Sequence, residues 1–148
     1  LEKPGVYIDP ESRRNSVMPK QNYLRLAQAL LEEGDSAKAI KTLDTLRKYF
    51  PHNKIPWDIY MVPMVETYYE AGANQKANEA SDVLLNSYVE NLEYYSSLDR
   101  VFRQYYQQEI EQSLMVIQQL SLLASRARQN DQADKIDTEL QRLITYFE

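Results

Sequence analysis

The sequence predicts an all-α fold, a stack of antiparallel helical hairpins containing five to six helices. Three observations carry this expectation. Two stretches read as copies of one unit. Tyr23, Leu26, Ala27 and Leu30 precede Gly34-Asp35, Ala39 and Leu43. Met61, Met64, Val65 and Tyr68 precede Gly72-Ala73, Ala77 and Ser81. Both copies place sixteen positions between their first residue and the alanine of the second helix, from 23 to 39 and from 61 to 77. Finally, the chain has only three glycines and six prolines, which gather outside the periodic segments.

That spacing is the tetratricopeptide pattern, W-x2-L-G-x2-Y followed by A-x3-F and P. A tetratricopeptide-like unit buries its apolar face only by stacking on neighbours, which gives an α–α superhelix. The first copy departs from the pattern with Tyr23 and Leu30 in place of tryptophan and tyrosine. The second has Val89 where the closing proline would stand.

Residues 1–19 lack helical period and contain Pro4, Gly5, Pro10 and Pro19, so they form an extended arm or linker ahead of one helical-repeat domain, 20–148. The first helix spans about 20–33, with Tyr23, Leu26, Ala27, Leu30 and Leu31 inward. Gly34 ends it, because glycine adopts a left-handed C-terminal position at little cost. Asp35 or Ser36 caps the second helix, which turns Ala39, Ile40, Leu43, Leu46 and Phe50 inward and stops at Pro51. The third helix covers about 57–71 and contains Pro63. A proline there forces a kink, or the helix begins near Val62.

The fourth helix, about 74–95, carries an inner stripe of Ala77, Ala80, Leu84, Tyr88 and Leu92. Ser96 or Ser97, with Asp99, caps a long fifth helix over 98–128. A last helix, 132–146, turns Ala133, Ile136, Leu140, Leu143 and Phe147 inward. The final two helices read as a third hairpin with a degenerate signature, as terminal repeats often have.

With 22 acidic residues, 17 basic residues and a net charge of −5, the chain lacks the basic surface that nucleic acid demands. No cysteine is present, which removes disulfides, thiolate metal sites and thiol nucleophiles. No stretch approaches the roughly 20 apolar residues of a membrane span. The chain starts at Leu1 without an initiator methionine or a basic leader, so we read it as a fragment of a longer polypeptide or as a processed form.

No catalytic set is legible, and no cofactor or metal is expected. His52 is the single histidine and stands in a turn after Pro51, where an exposed loop role is the plain reading. One imidazole cannot build a histidine metal site. Glu66 and Glu70 share a helix face, and Glu32, Glu33 and Asp35 lie at the matching end of the first helix. Paired carboxylates serve acid–base chemistry or a hard cation when desolvated, and otherwise form a solvated acidic edge. Twelve tyrosines include the doublets 68–69, 94–95 and 105–106. Adjacent helical residues diverge by about 100°, so one ring of a doublet reaches the core while the other stays at the rim.

The first helix of each hairpin lines the concave wall of such a stack. That places Arg25, Gln28, Leu31 and Glu32 beside Val62, Glu66, Tyr69 and Glu70. The wall is mixed, slightly acidic and suited to an extended peptide or a partner helix. A glycan stacked on rim tyrosines is the second class of partner.

Asn22-Tyr23-Leu24-Arg25-Leu26-Ala27, Glu33-Gly34, Lys38-Ala39-Ile40, Tyr68-Tyr69-x-Ala71-Gly72-Ala73, Lys76-Ala77-Asn78-Glu79 and Tyr94-Tyr95-x-x-Leu98 carry a wider resemblance. Together they resemble the C-terminal soluble region of an uncharacterised family of polytopic bacterial membrane proteins related to protein O-mannosyltransferases. Gly5-Val6-Tyr7-Ile8-Asp9 resembles the segment after that family's last membrane span. The resemblance implies a non-catalytic part of a glycosyltransferase-like protein, tethered to the bacterial inner membrane and on the periplasmic rather than the cytoplasmic side. It contributes no catalytic residue, since the acids of such enzymes would lie in membrane-proximal loops outside this sequence.

Overall fold

The computed structural model of the chain describes Glu11 and residues 17–148. The other residues of the expected arm, 1–10 and 12–16, lie outside the described residues. The fold is all-α. Among the described residues there are seven α-helices, one 3-10 turn and no strand. The helices are α1 (Val17–Glu32), α2 (Ser36–Tyr49), α3 (Val62–Glu70), α4 (Asn74–Ser97), α5 (Arg100–Tyr105), α6 (Gln107–Arg126) and α7 (Asn130–Thr145), with the 3-10 turn at Ile59–Met61.

Seven helices replace the expected five to six because the long fifth helix is broken. Tyr106 leaves helical geometry at φ −96°, ψ 19°. Its ring stacks on Tyr95, with centroids 5.0 Å apart and planes 30° off parallel. The start of α5 is also set differently from expectation. The Ser96 and Ser97 hydroxyls donate back to the carbonyls of Glu93 and Tyr94, closing α4. Asp99 is the N-cap, and its Oδ1 accepts from the amides of Val101 and Phe102, both at 3.1 Å.

The chain divides into two compact units, Leu1–Ala77 and Asn78–Glu148, with the boundary inside α4. In the first unit, α1 and α2 pack along each other, and α3 lies against both. Leu43, Leu46, Met61, Met64, Val65 and Tyr68 are fully enclosed there. α1 begins at Val17, three residues before the predicted start, and buries Lys20, Leu24 and Ala27. Leu26, expected in the core, is 51% exposed. The helix is therefore rotated from the expected register, because Lys20 goes inward. Its ammonium sits 5.9 Å from the centre of the Phe50 ring.

Pro63 falls in the first turn of α3, where a missing N–H costs no helical hydrogen bond. Of the two expected outcomes the second holds: the helix begins at Val62 without a kink, and Trp57 stays outside it. It anchors the connecting loop instead. The indole Nε1 donates to the Phe50 carbonyl at 2.8 Å, and the Trp57 amide donates to His52 Nδ1 at 2.9 Å.

In the second unit α6 and α7 pack as an antiparallel hairpin. The expected α4 stripe is buried at all five positions, Ala77 in the first unit and Ala80, Leu84, Tyr88 and Leu92 in the second. Asp82 on α4 accepts from Lys135 Nζ at 2.6 Å and from Gln132 Nε2 at 2.8 Å, both on α7.

Three helix ends share one geometry. Gly34 N donates to Leu31 O, and Asp35 N to Leu30 O. Gly72 N donates to Tyr69 O and Ala73 N to Tyr68 O, while Arg128 N donates to Ser125 O and Gln129 N to Ala124 O. These are Schellman turns, and each needs a left-handed residue. The φ values are +83° at Gly34, +81° at Gly72 and +58° at Arg128. Five residues beyond each stands a buried alanine, Ala39, Ala77 and Ala133.

Candidate functional site: a cleft between α1 and α3

α1 and α3 run side by side in the first unit and leave a cleft of about 390 Å³. Its lining is Gln28, Leu31, Glu32, Glu66, Thr67 and Glu70. Five of the eight residues predicted for the concave wall therefore converge. The other three do not line it. Val62 is buried at 4% exposure, because the 3-10 turn feeding α3 aims it inward with Met61 and Met64. Arg25 is exposed but lies outside the cleft, and Tyr69 is half-buried outside it.

Thr67 was missed by sequence reasoning. It is buried, lines the cleft, and its hydroxyl donates to the Pro63 carbonyl at 2.7 Å. The signal lay in its position between Glu66 and Glu70 on a short helix.

Three carboxylates set the electrostatics. Glu70 is pushed above the ordinary glutamate range, first by desolvation and then by the charge of Glu66 one turn away. A cation or hydrogen-bond donor arriving from a partner would relieve that repulsion. The cleft itself supplies no cation, since its lining has neither lysine nor arginine.

Behind the cleft, Tyr68 separates from its doublet partner as the helical geometry predicts. Its ring is fully buried, and its hydroxyl reaches Asp44 Oδ1 at 2.7 Å. Lys76 Nζ contacts the other oxygen of Asp44. Partial burial pushes the Asp44 carboxyl up, but the hydrogen bonds from Lys76 and Tyr68 outweigh it and hold the carboxyl below its usual value.

His52 is not the freely exposed loop residue expected from sequence. It is half-buried, and its Nδ1 accepts the Trp57 amide while its ring meets the indole edge-on at 5.9 Å. These contacts give it a role in loop architecture. No group of three or more histidine, cysteine, aspartate or glutamate residues among the described ones is arranged to hold a metal ion. A larger cleft, about 570 Å³, surrounds the Arg128 turn and is lined by amide and charged side chains such as Asn78, Gln129 and Lys135.

The remaining tyrosine doublets meet in the second unit. Tyr95 and Tyr106 stack, and Tyr94 and Tyr105 flank them at 5.7 and 5.0 Å. Tyr94 is 58% exposed and Tyr105 78%.

No protein family, curated protein or solved structure matches this chain. Among the described residues no helix is long and apolar enough to cross a membrane.

Proposed function

We propose that this chain is a non-catalytic, tetratricopeptide-like helical-repeat module that binds a protein segment in the cleft between α1 and α3. The observation that carries the reading is the convergence of Gln28, Leu31, Glu32, Glu66 and Glu70 on one concave surface. The three matching turns, each followed by a buried alanine, support the repeat architecture. The acidic rim favours an extended segment carrying lysine or arginine, with Leu31 offering an apolar contact. The wider resemblance is the support for reading the module as part of a membrane-tethered, glycosyltransferase-like protein on the periplasmic side of a bacterial inner membrane.

Amide NMR of the whole chain with short Arg/Leu-containing peptides tests the reading. Shifts centred on Gln28 and Glu66 that vanish in the Glu32→Gln, Glu66→Gln, Glu70→Gln triple variant are expected. Shifts elsewhere, or none, would overturn it.

A second reading, glycan or acceptor positioning, is favoured by the exposed rings of Tyr94 and Tyr105 beside the Tyr95–Tyr106 stack. Oligosaccharide titration monitored by tyrosine fluorescence, with Tyr105→Ala as the control, separates the two readings.

A further inference from the structure

The second unit holds a cleft of about 430 Å³ at α5, the start of α6 and the end of the chain. Arg100, Arg103, Gln104 and Gln107 form one side of it, at helical i, i+3, i+4 and i+7 spacing that continues across the break at Tyr106. Ile110, Leu114 and Phe147 supply the apolar part, and these are buried or half-buried while Arg100, Gln104 and Gln107 are exposed. The cleft thus has two guanidinium groups and two side-chain amides at its mouth, over an apolar floor.

Neither arginine takes part in an ion pair among the described residues. The Nε of Arg103 is shielded from solvent and has no hydrogen-bond partner there. A buried donor without an acceptor is costly, and native structures rarely leave one. Two acids also line the cleft. The Glu111 carboxylate accepts from Gln107 Nε2 at 2.7 Å, and Glu148 is not in ion-pair contact with either arginine.

We infer that this cleft binds an organic carboxylate, the anion held by the guanidinium groups of Arg103 and Arg100 and its apolar body resting on Ile110, Leu114 and Phe147. A guanidinium presents parallel N–H donors that match a carboxylate two-for-two, which an ammonium cannot do. The apolar floor selects a carboxylate attached to an aliphatic or aromatic group over a small inorganic anion. A peptide C-terminus with an apolar last residue and a fatty acid share that chemistry.

The test uses the whole chain and the arginine Nε–H resonances in 1H–15N spectra, with Arg103 identified by the loss of its signal in Arg103→Lys. The probes are N-acetyl-phenylalanine, octanoate, N-acetyl-phenylalaninamide and inorganic phosphate. A saturable shift of the Arg103 signal with N-acetyl-phenylalanine or octanoate, absent with the amide, is expected. The tighter of the two carboxylates assigns the source as peptide or lipid. Arg103→Lys and Arg100→Gln should each weaken binding about tenfold, the effect of losing one charge-assisted hydrogen bond. Their thermal midpoints should stay unchanged, which separates lost binding from lost folding. No saturable shift, equal binding of the amide or of phosphate, or unaltered affinity in both variants would overturn the proposal.

Discussion

The hydroxyl of Tyr68, on α3, donates to Asp44 Oδ1 on α2 at 2.7 Å, while Lys76 holds the other oxygen of the same carboxylate. The phenol ring is fully enclosed, so its single polar atom must find a partner at the core's edge. Burial first, then the hydrogen bond to Asp44 and its charge, push the phenol well above its ordinary range, and it stays a donor across the physiological span. The pair ties α3 to α2 within the first unit.

Tyr68→Phe should cost about 1–2 kcal/mol, the range for a hydrogen bond to a partly exposed charged acceptor. In an Asp44→Ala background the same change should cost clearly less, because contacting residues are non-additive. The pH sign follows from the lowered Asp44 carboxyl. Its stabilising contribution is complete above the unfolded aspartate value, about 4. It disappears as pH falls through the lower folded value. Urea unfolding of the wild type and Asp44→Asn at pH 7 and pH 3 checks this; a gap that is wider at pH 3 would contradict it.

The three Schellman turns make a prediction with opposite signs. Arg128 occupies at φ +58° the position that glycine fills at +83° and +81°. An L-residue there costs about 1–2 kcal/mol, partly offset by glycine's greater freedom in the unfolded chain. Arg128→Gly should therefore stabilise the chain by about 0.5–1 kcal/mol. Gly34→Ala and Gly72→Ala should each cost about 1 kcal/mol. A new Cβ meets nothing within 4 Å at either glycine, so the cost is purely conformational. Calorimetric midpoints of the three variants decide it.

These turns also mark how far the sequence could be read. Gly34 and Gly72 announce the first two hairpins, whereas Arg128 hides the third, because its left-handed φ has no compositional signal. The α4 stripe was legible, since small and apolar residues repeat there without competition. The α1 register was not. Lys20, a lysine and by type a surface residue, is buried near Phe50 on the same face as Leu24, while Leu26 faces outward. In the candidate site Glu66 and Glu70 were readable as one face of α3, and Glu32 as the matching end of α1. Val62 was misplaced because it follows a 3-10 turn, capped by Asp58, that carries no helical period in the sequence.

Ser81 supplies a sharper test of the core. It is fully buried on α4, and its Oγ has no hydrogen-bond partner among the described residues. An unmatched buried hydroxyl costs about 1–3 kcal/mol relative to an apolar group of similar shape. Ser81→Ala should therefore be neutral or stabilising, by up to about 1 kcal/mol once the small lost volume is discounted. Denaturant midpoints measure this directly. A loss comparable to Leu84→Ala would mean that the hydroxyl is satisfied in solution.

The last prediction concerns the wall of the α1–α3 cleft, where stability and binding should separate. Leu43 and Met64 are fully enclosed, so truncation to alanine should cost about 2–5 kcal/mol. Val62→Ala should fall on the same side, although sequence reasoning placed it in the groove, because its side chain is 4% exposed. Leu26→Ala should behave as a surface change, within about 0.5 kcal/mol, although its spacing mimics a core position. Gln28→Ala and Glu66→Gln should also lie within about 0.5 kcal/mol. Removing the Glu66 charge should lower the Glu70 carboxyl toward its ordinary range without fully restoring it, since desolvation is the larger cause. Side-chain carboxyl NMR titration of Glu66→Gln reads that shift. If Glu66→Gln leaves Glu70 where it was, the two carboxylates do not share the cleft. If it unfolds the chain like Met64→Ala, the wall is core rather than surface, and no segment could bind there.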